Sequence, residues 1–109
     1  MCGRFAQIRE EEELMKSLSV HHCEVSVETS YNIAPGADIS IIHQQDDRRV
    51  LDSRRWGLIP FWAKEGGRGM INARSETVSE KPSFRHAFSK RRCLIPSSGF
   101  YEWEKTENG

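Results

Sequence analysis

The residue with the most distinctive chemistry stands second in the chain. Cys2 follows the initiator Met1 and precedes Gly3-Arg4-Phe5. A small second residue permits removal of Met1, which leaves Cys2 with a free α-amine and a thiol on neighbouring carbons. An α-amine titrates near pH 8, so a useful fraction is neutral and nucleophilic at pH 7. Such a 1,2-aminothiol condenses with an aldehyde to an imine, and the thiol then closes a five-membered thiazolidine. No internal cysteine does this. The plain alternative is a small residue beside a start codon.

Three other segments carry chemistry-bearing side chains. Asn72 sits in Ile71-Asn72-Ala73-Arg74, where a buried amide can orient a substrate or donate to a developing oxyanion. On a strand, Arg74 shares the face of Asn72, and its guanidinium can fork onto a phosphate. A strand end followed by a helix cap accounts for the same residues. Glu102 is the carboxylate among the aromatics of Gly99-Phe100-Tyr101-Glu102-Trp103. An apolar setting of that kind suits a carboxyl group to proton transfer near neutral pH, although an edge-strand surface Glu reads the same way. Trp56, Phe61 and Trp62 flank Pro60. Aromatics beside basic residues hold single-stranded DNA by stacking and phosphate contact, and they serve equally as core.

Composition narrows the class. Net charge is zero, but residues 1–50 hold five basic and nine acidic side chains, and residues 51–109 hold eleven and seven. Ten of the basic groups fall between Arg54 and Arg92. A neutral chain with one basic segment can present a polyanion-binding face. Cys2, Cys23 and Cys93 cannot all pair within the chain, and no CxxC or zinc-like spacing is present. His21, His22 and Cys23 are adjacent, which suits a tetrahedral metal poorly, so no metal and no cofactor is expected. Unpatterned cysteines point to a reducing compartment, and the N-terminus lacks the apolar stretch of a signal peptide. No apolar run approaches the roughly 20 residues of a membrane span. The expectation is a cytoplasmic protein without membrane contact.

The elements that must position these residues are short. Residues 3–8 read as a strand, and Glu10 to Ser19 as a helix with an acidic first turn and Leu14, Met15 and Leu18 on its buried stripe. Cys23 to Val27 reads as extended, Pro35-Gly36 as a turn, and Asp38 to His43 as a strand. Gln44 to Arg49 reads as a polar turn and Val50 to Leu58 as the next strand. Met70 to Arg74 reads as extended, Pro82 to Ser89 as a helical turn, and Cys93 to Pro96 and Phe100 to Glu104 as strands. Short strands with few helices predict an α+β, antiparallel, barrel-like fold. The closing Asn108-Gly109 is a hairpin signal with no returning strand. It predicts an open sheet edge beside residues 100–104, with apolar surface left exposed or used for association.

Taken in order, MCGRF, YNIAPG, WGLIPFW, INARSET and RRCLIPSSGFYEW resemble the SOS-response-associated peptidase (SRAP) family of abasic-site processing proteins. The resemblance runs from Cys2 to Trp103. It implies an antiparallel barrel-like SRAP fold with peripheral short helices, incomplete here: residues 1–109 would be the N-terminal portion of one SRAP domain. It implies that Cys2 forms a thiazolidine with the ring-opened aldehyde of an abasic site in single-stranded DNA. Asn72 and Glu102 would be its catalytic partners, with Glu102 assisting proton transfers in imine formation or reversal. Arg4, Pro35, Trp56, Phe61, Trp62, Arg74 and Arg85 would contact or shape the DNA cleft. The pattern departs from the family in two ways. The family's active-site His lies beyond this stretch, and a second phosphate-contacting Arg of some members falls near Pro82, where Arg85 substitutes. A second chain or an oligomer completing the half-domain is the further partner implied. An N-terminal-nucleophile peptidase and a passive single-strand-binding module are the competing readings.

Overall fold

A computed structural model describes residues 2–60, 62–63 and 69–104. The elements in chain order are β1 (Phe5–Gln7), α1 (Glu11–Ser17), β2 (His22–Cys23), β3 (Ser30–Ile33), β4 (Asp38–Gln45), β5 (Arg48–Arg55), α2 (Arg85–Lys90) and β6 (Gly99–Phe100). The expectations for Met1, Phe61 and Asn108-Gly109 lie outside the described residues.

The β4–β5 hairpin is the scaffold. Its pairing runs without a break from Asp38↔Arg55 to Gln45↔Arg48. The tight turn at Asp46-Asp47 is shorter than the predicted Gln44–Arg49 segment, because Asp46 adopts φ 55°, a left-handed conformation that Asp tolerates better than most residues. Successive strand residues face opposite ways, and both faces of the hairpin are covered. Ile39 and Ile41 join Phe5 in one buried cluster, with Cys2, Ile33 and Trp56 packed against it. Ile42 and its cross-strand partner Leu51 join Leu14 and Val20 in the other, with Met15 and Leu18 of α1 alongside. The expected helix stripe is thus present, although α1 stops before Ser19, which takes φ 54°.

Two predictions about the fold are corrected. The strands do not close a barrel. They form two three-stranded sheets, in the orders β3-β1-β6 and β2-β5-β4. β1 has three residues and β6 two, too little strand to carry a ladder around a closed surface. The sheets are also not wholly antiparallel, since β2 lies parallel to β5 through His22↔Val50 and Cys23↔Leu51. Around them, Ser30–Ile33 is a strand although its residues read as the approach to the Pro-Gly turn. The predicted Cys93–Pro96 strand is reduced to a bridge in which Leu94 and Ile42 exchange two hydrogen bonds of 2.8 Å. Regular pairing of β6 ends at Phe100. Among the described strands β6 has only β1 as a neighbour.

Candidate active site

Two chain segments meet at Cys2, and a third runs beside Gly3 and Arg4. Cys2 precedes β1, is half-buried, and turns its Sγ toward the Arg4 carbonyl at 3.7 Å. Its own carbonyl accepts a hydrogen bond from Asn72 Nδ2 at 2.9 Å. A carbonyl can only accept, so the amide orientation follows from the contact.

The second segment, Gly69 to Arg74, has no sheet ladder of its own. It is pinned one residue at a time. Met70 exchanges two 2.9 Å hydrogen bonds with Leu58, the Ile71 carbonyl accepts from Trp56 Nε1 at 3.0 Å, and Asn72 reaches Cys2. The approach is close at its start. Gly69 takes φ +77°, and a Cβ there would stand 2.7 Å from the Gly57 carbonyl carbon.

The third segment follows β6. Phe5 pairs with Phe100, and the Tyr101 N–H donates to the Arg4 carbonyl at 3.0 Å, which brings Glu102 level with Gly3. A small recess is lined by Gly3, Arg4, Tyr101, Glu102 and Trp103. Glu102 lies on its exposed rim, not in the enclosed apolar setting that its aromatic neighbours predict. Among the described residues, no group of His, Cys, Asp and Glu side chains is arranged to hold a metal ion.

The residues expected to contact DNA are dispersed. Arg4 donates from Nη1 to Asn32 Oδ1 at 3.0 Å and borders the recess. Pro35 is half-buried in a turn locked to the Trp56 backbone: the Gly36 N–H donates to the Trp56 carbonyl at 2.8 Å, and the Trp56 N–H to the Ala37 carbonyl at 2.9 Å. Trp56 is itself half-buried, its ring edge-on to Phe5 with centroids 5.5 Å apart. Trp62 is 58% exposed. Arg74 is exposed in a turn rather than on a strand, its carbonyl accepting from Thr77 and Val78. Arg85 is exposed at the start of α2.

The basic segment does not line one groove throughout. A groove of about 600 Å³ gathers Arg54, Arg55, Lys90, Arg91 and Arg92 against Trp56 and Ile71, without Arg74 or Arg85. Sequence reasoning overlooked three residues of the Cys2 neighbourhood. Tyr101 donates from its hydroxyl to the Tyr31 carbonyl at 2.9 Å, Asn32 holds Arg4, and Trp103 is 76% exposed beside the recess. The alternation in Phe100-Tyr101-Glu102-Trp103 was the available signal for Tyr101 and Trp103; nothing local marked Asn32.

The order of the motifs, with Asn72 donating to the Cys2 carbonyl, is that of an SRAP-type domain. The chain matches the family described as SOS response associated peptidase (SRAP) over residues 1–109, and it belongs to that family. It is 42% identical to the abasic site processing protein YoqW of Bacillus subtilis over 98% of this chain and 50% of that protein. It is 31% identical to the abasic site processing protein YedK of Escherichia coli over 96% of this chain and 49% of that one. Rat HMCES, also named an abasic site processing protein, is 36% identical over 72% of this chain and 26% of its own. A crystal structure of a Bordetella bronchiseptica protein superposes with a TM-score of 0.71 at 26% identity, covering 93% of this chain and 50% of that one. The chain therefore spans about half the length of the bacterial relatives it matches.

Proposed function

We propose that this protein processes abasic sites in single-stranded DNA by forming a covalent adduct through Cys2 after Met1 is removed. The contact between Asn72 and the Cys2 carbonyl is the observation that supports it best. Two residues 70 apart in sequence meet at the atom group next to the reactive amine. The names of the relatives supply the substrate class.

The reaction balances as a condensation. The Cys2 amine adds to the aldehyde carbon of the ring-opened abasic sugar and gives a carbinolamine. Glu102, level with Gly3 on the adjacent chain, donates a proton to the departing hydroxyl, and water leaves as the imine forms. General acids speed such steps by roughly 10²–10⁴. Sγ then bonds to the imine carbon, and the thiol proton passes to nitrogen. Aldehyde and aminothiol become thiazolidine and water. Asn72 holds the Cys2 backbone so that amine and thiol present themselves together. Arg4 and Arg74 take phosphates, Trp62 stacks on an unpaired base, and Pro35 and Arg85 border the strand.

Intact mass after incubation with abasic single-stranded DNA tests this. The expected product is a one-to-one adduct lighter than the sum of its parts by one water. Cys2→Ser should abolish the stable adduct and leave affinity for undamaged single strands within about threefold. Cleavage of peptides without DNA and no adduct would favour a peptidase. Reversible binding alone would favour a passive module.

A further inference from the structure

We propose that Trp56 is a positioning residue for the Cys2 reaction, acting through the Ile71 carbonyl on Asn72, and not primarily a platform on which DNA bases stack. The inference rests on the functional reading above and assigns a role within the same site.

The donor edge of the indole is already committed. Trp56 Nε1 donates to the Ile71 carbonyl at 3.0 Å. The ring stands edge-on to Phe5 at 5.5 Å and 63°, and its backbone is held on both sides by the Pro35-Gly36 turn. Trp56 also packs against the same buried cluster as Cys2. It is therefore a fixed body that bonds the residue before Asn72 and shares a packing cluster with Cys2.

The segment it holds has little else to hold it. Leu58↔Met70 is an isolated bridge, and among the described residues no ladder continues through Ile71 and Asn72. Among those residues Met70 is anchored to Leu58, Ile71 to Trp56 and Asn72 to Cys2. Without the middle anchor, Asn72 must hold its own backbone and clamp Cys2 with the same side chain. The Ile71 carbonyl lies in an exposed contact, so water replaces the indole donor at small cost to stability. The cost falls on placement, where errors of about 1 Å can reach 10²-fold in rate.

The test separates placement from stacking. Trp56 is replaced by β-(3-benzothienyl)alanine, which keeps the shape and aromatic face but has sulfur in place of N–H; Trp56→Phe is the second variant. Affinity is read with undamaged single-stranded DNA, and rate from single-turnover adduct formation at saturating abasic single-stranded DNA. The isostere should bind within about threefold of the parent and react roughly tenfold more slowly. Adding Asn72→Ala to the isostere should cost less than Asn72→Ala costs alone, because both changes loosen one clamp. A third measurement needs no DNA: hydrogen exchange of the Asn72 side-chain amide should accelerate in the isostere.

Weakened binding with an unchanged saturated rate would assign Trp56 to stacking and overturn the proposal, as would fully additive effects. If the parent protein forms no adduct, the functional reading fails by itself. Unaltered Asn72 amide exchange then overturns the positioning claim separately, and accelerated exchange upholds it.

Discussion

In the proposed reaction the thiol and the amine of Cys2 have separable duties. The amine would make the first bond to an aldehyde, and the thiol would remove the resulting imine from equilibrium by closing a ring. Cys2→Ala should therefore still form an adduct that borohydride can trap, because the amine remains. That adduct should decay during heating, whereas the parent adduct persists. The open imine also acidifies the neighbouring carbon, so strand cleavage by β-elimination should rise several-fold in the variant. Denaturing gels with and without borohydride measure both outcomes, and an equally persistent adduct in Cys2→Ala would show that the thiol plays no part. The chemistry open to Cys2 is legible in the sequence because it depends on position alone. The motif resemblance also named Asn72 as its partner, but not the form of the contact. Asn72 meets the Cys2 carbonyl through a contact spanning 70 residues, and no local pattern encodes such a hydrogen bond. Asn32 was illegible for the same reason, its contact with Arg4 spanning 28.

The elements show which patterns carry structural information. The strands β4 and β5 were readable because Ile39, Ile41 and Ile42 fill both faces of a hairpin whose turn tolerates Asp46. The strands β1, β3 and β6 were less so. Each is four residues or fewer, and their existence depends on partners distant in sequence. The barrel expectation failed there, since strand count alone does not reveal whether short strands close. Two predictions belong to this scale. Gly69→Ala places a methyl group 2.7 Å from the Gly57 backbone, at a φ where alanine is strained. The Leu58–Met70 bridge must open, and Asn72 moves with it. Adduct formation should fall at least tenfold, while Leu51, fully buried in the other cluster, keeps the hairpin folded; circular dichroism against single-turnover rate separates the two.

The other element-scale prediction concerns acid. The Ser53 N–H, at 2.8 Å, and the Arg54 guanidinium, at 2.9 Å, hold the Asp52 carboxyl below its ordinary 3.8, with His43 facing it at 3.6 Å. A lowered carboxyl contributes stability above its ordinary value and loses it as pH falls through the folded value. Asp52→Asn should cost about 1 kcal/mol at pH 7, a few degrees in Tm. The difference from the parent should shrink as pH drops below 3.8, and a gap that widened in acid would contradict the assignment.

The whole chain exposes more surface than its mass requires. Its accessible area is 8547 Å², against about 6,200 Å² for a compact monomer of 12.6 kDa. Its radius of gyration is 15.4 Å, against about 13 Å. Leu94, Ile95 and Phe100 are 53%, 50% and 67% exposed. Apolar surface on this scale drives association, so the 109-residue chain should sediment as more than a monomer at micromolar concentration. Leu94→Asp with Ile95→Lys should return it toward monomer, and a strictly monomeric parent would count against that use of the surface.

Charge acts over the same distances. Three of the nine acidic residues of the first half, Glu11, Glu12 and Glu13, fill the first turn of α1, while five cations gather in the groove bordered by Trp56 and Ile71. Binding to single strands should release counterions, with a logarithmic salt slope of about −0.7 per phosphate contact. With four contacts, affinity falls roughly 50-fold between 50 and 200 mM salt. The groove cations are not equivalent. Arg54 already faces Asp52 at 2.9 Å, which partly neutralises its charge, whereas Arg91 has no carboxylate partner among the described residues. Arg91→Gln should reduce the salt slope by about 0.7, and Arg54→Gln by less. Neither should alter the preference among base sequences, because phosphate contacts carry no sequence information. Fluorescence anisotropy across a salt series measures the slopes. Equal slopes in parent and Arg91→Gln would take the groove out of the DNA path, and leave the strand to Arg4, Arg74 and Trp62 alone.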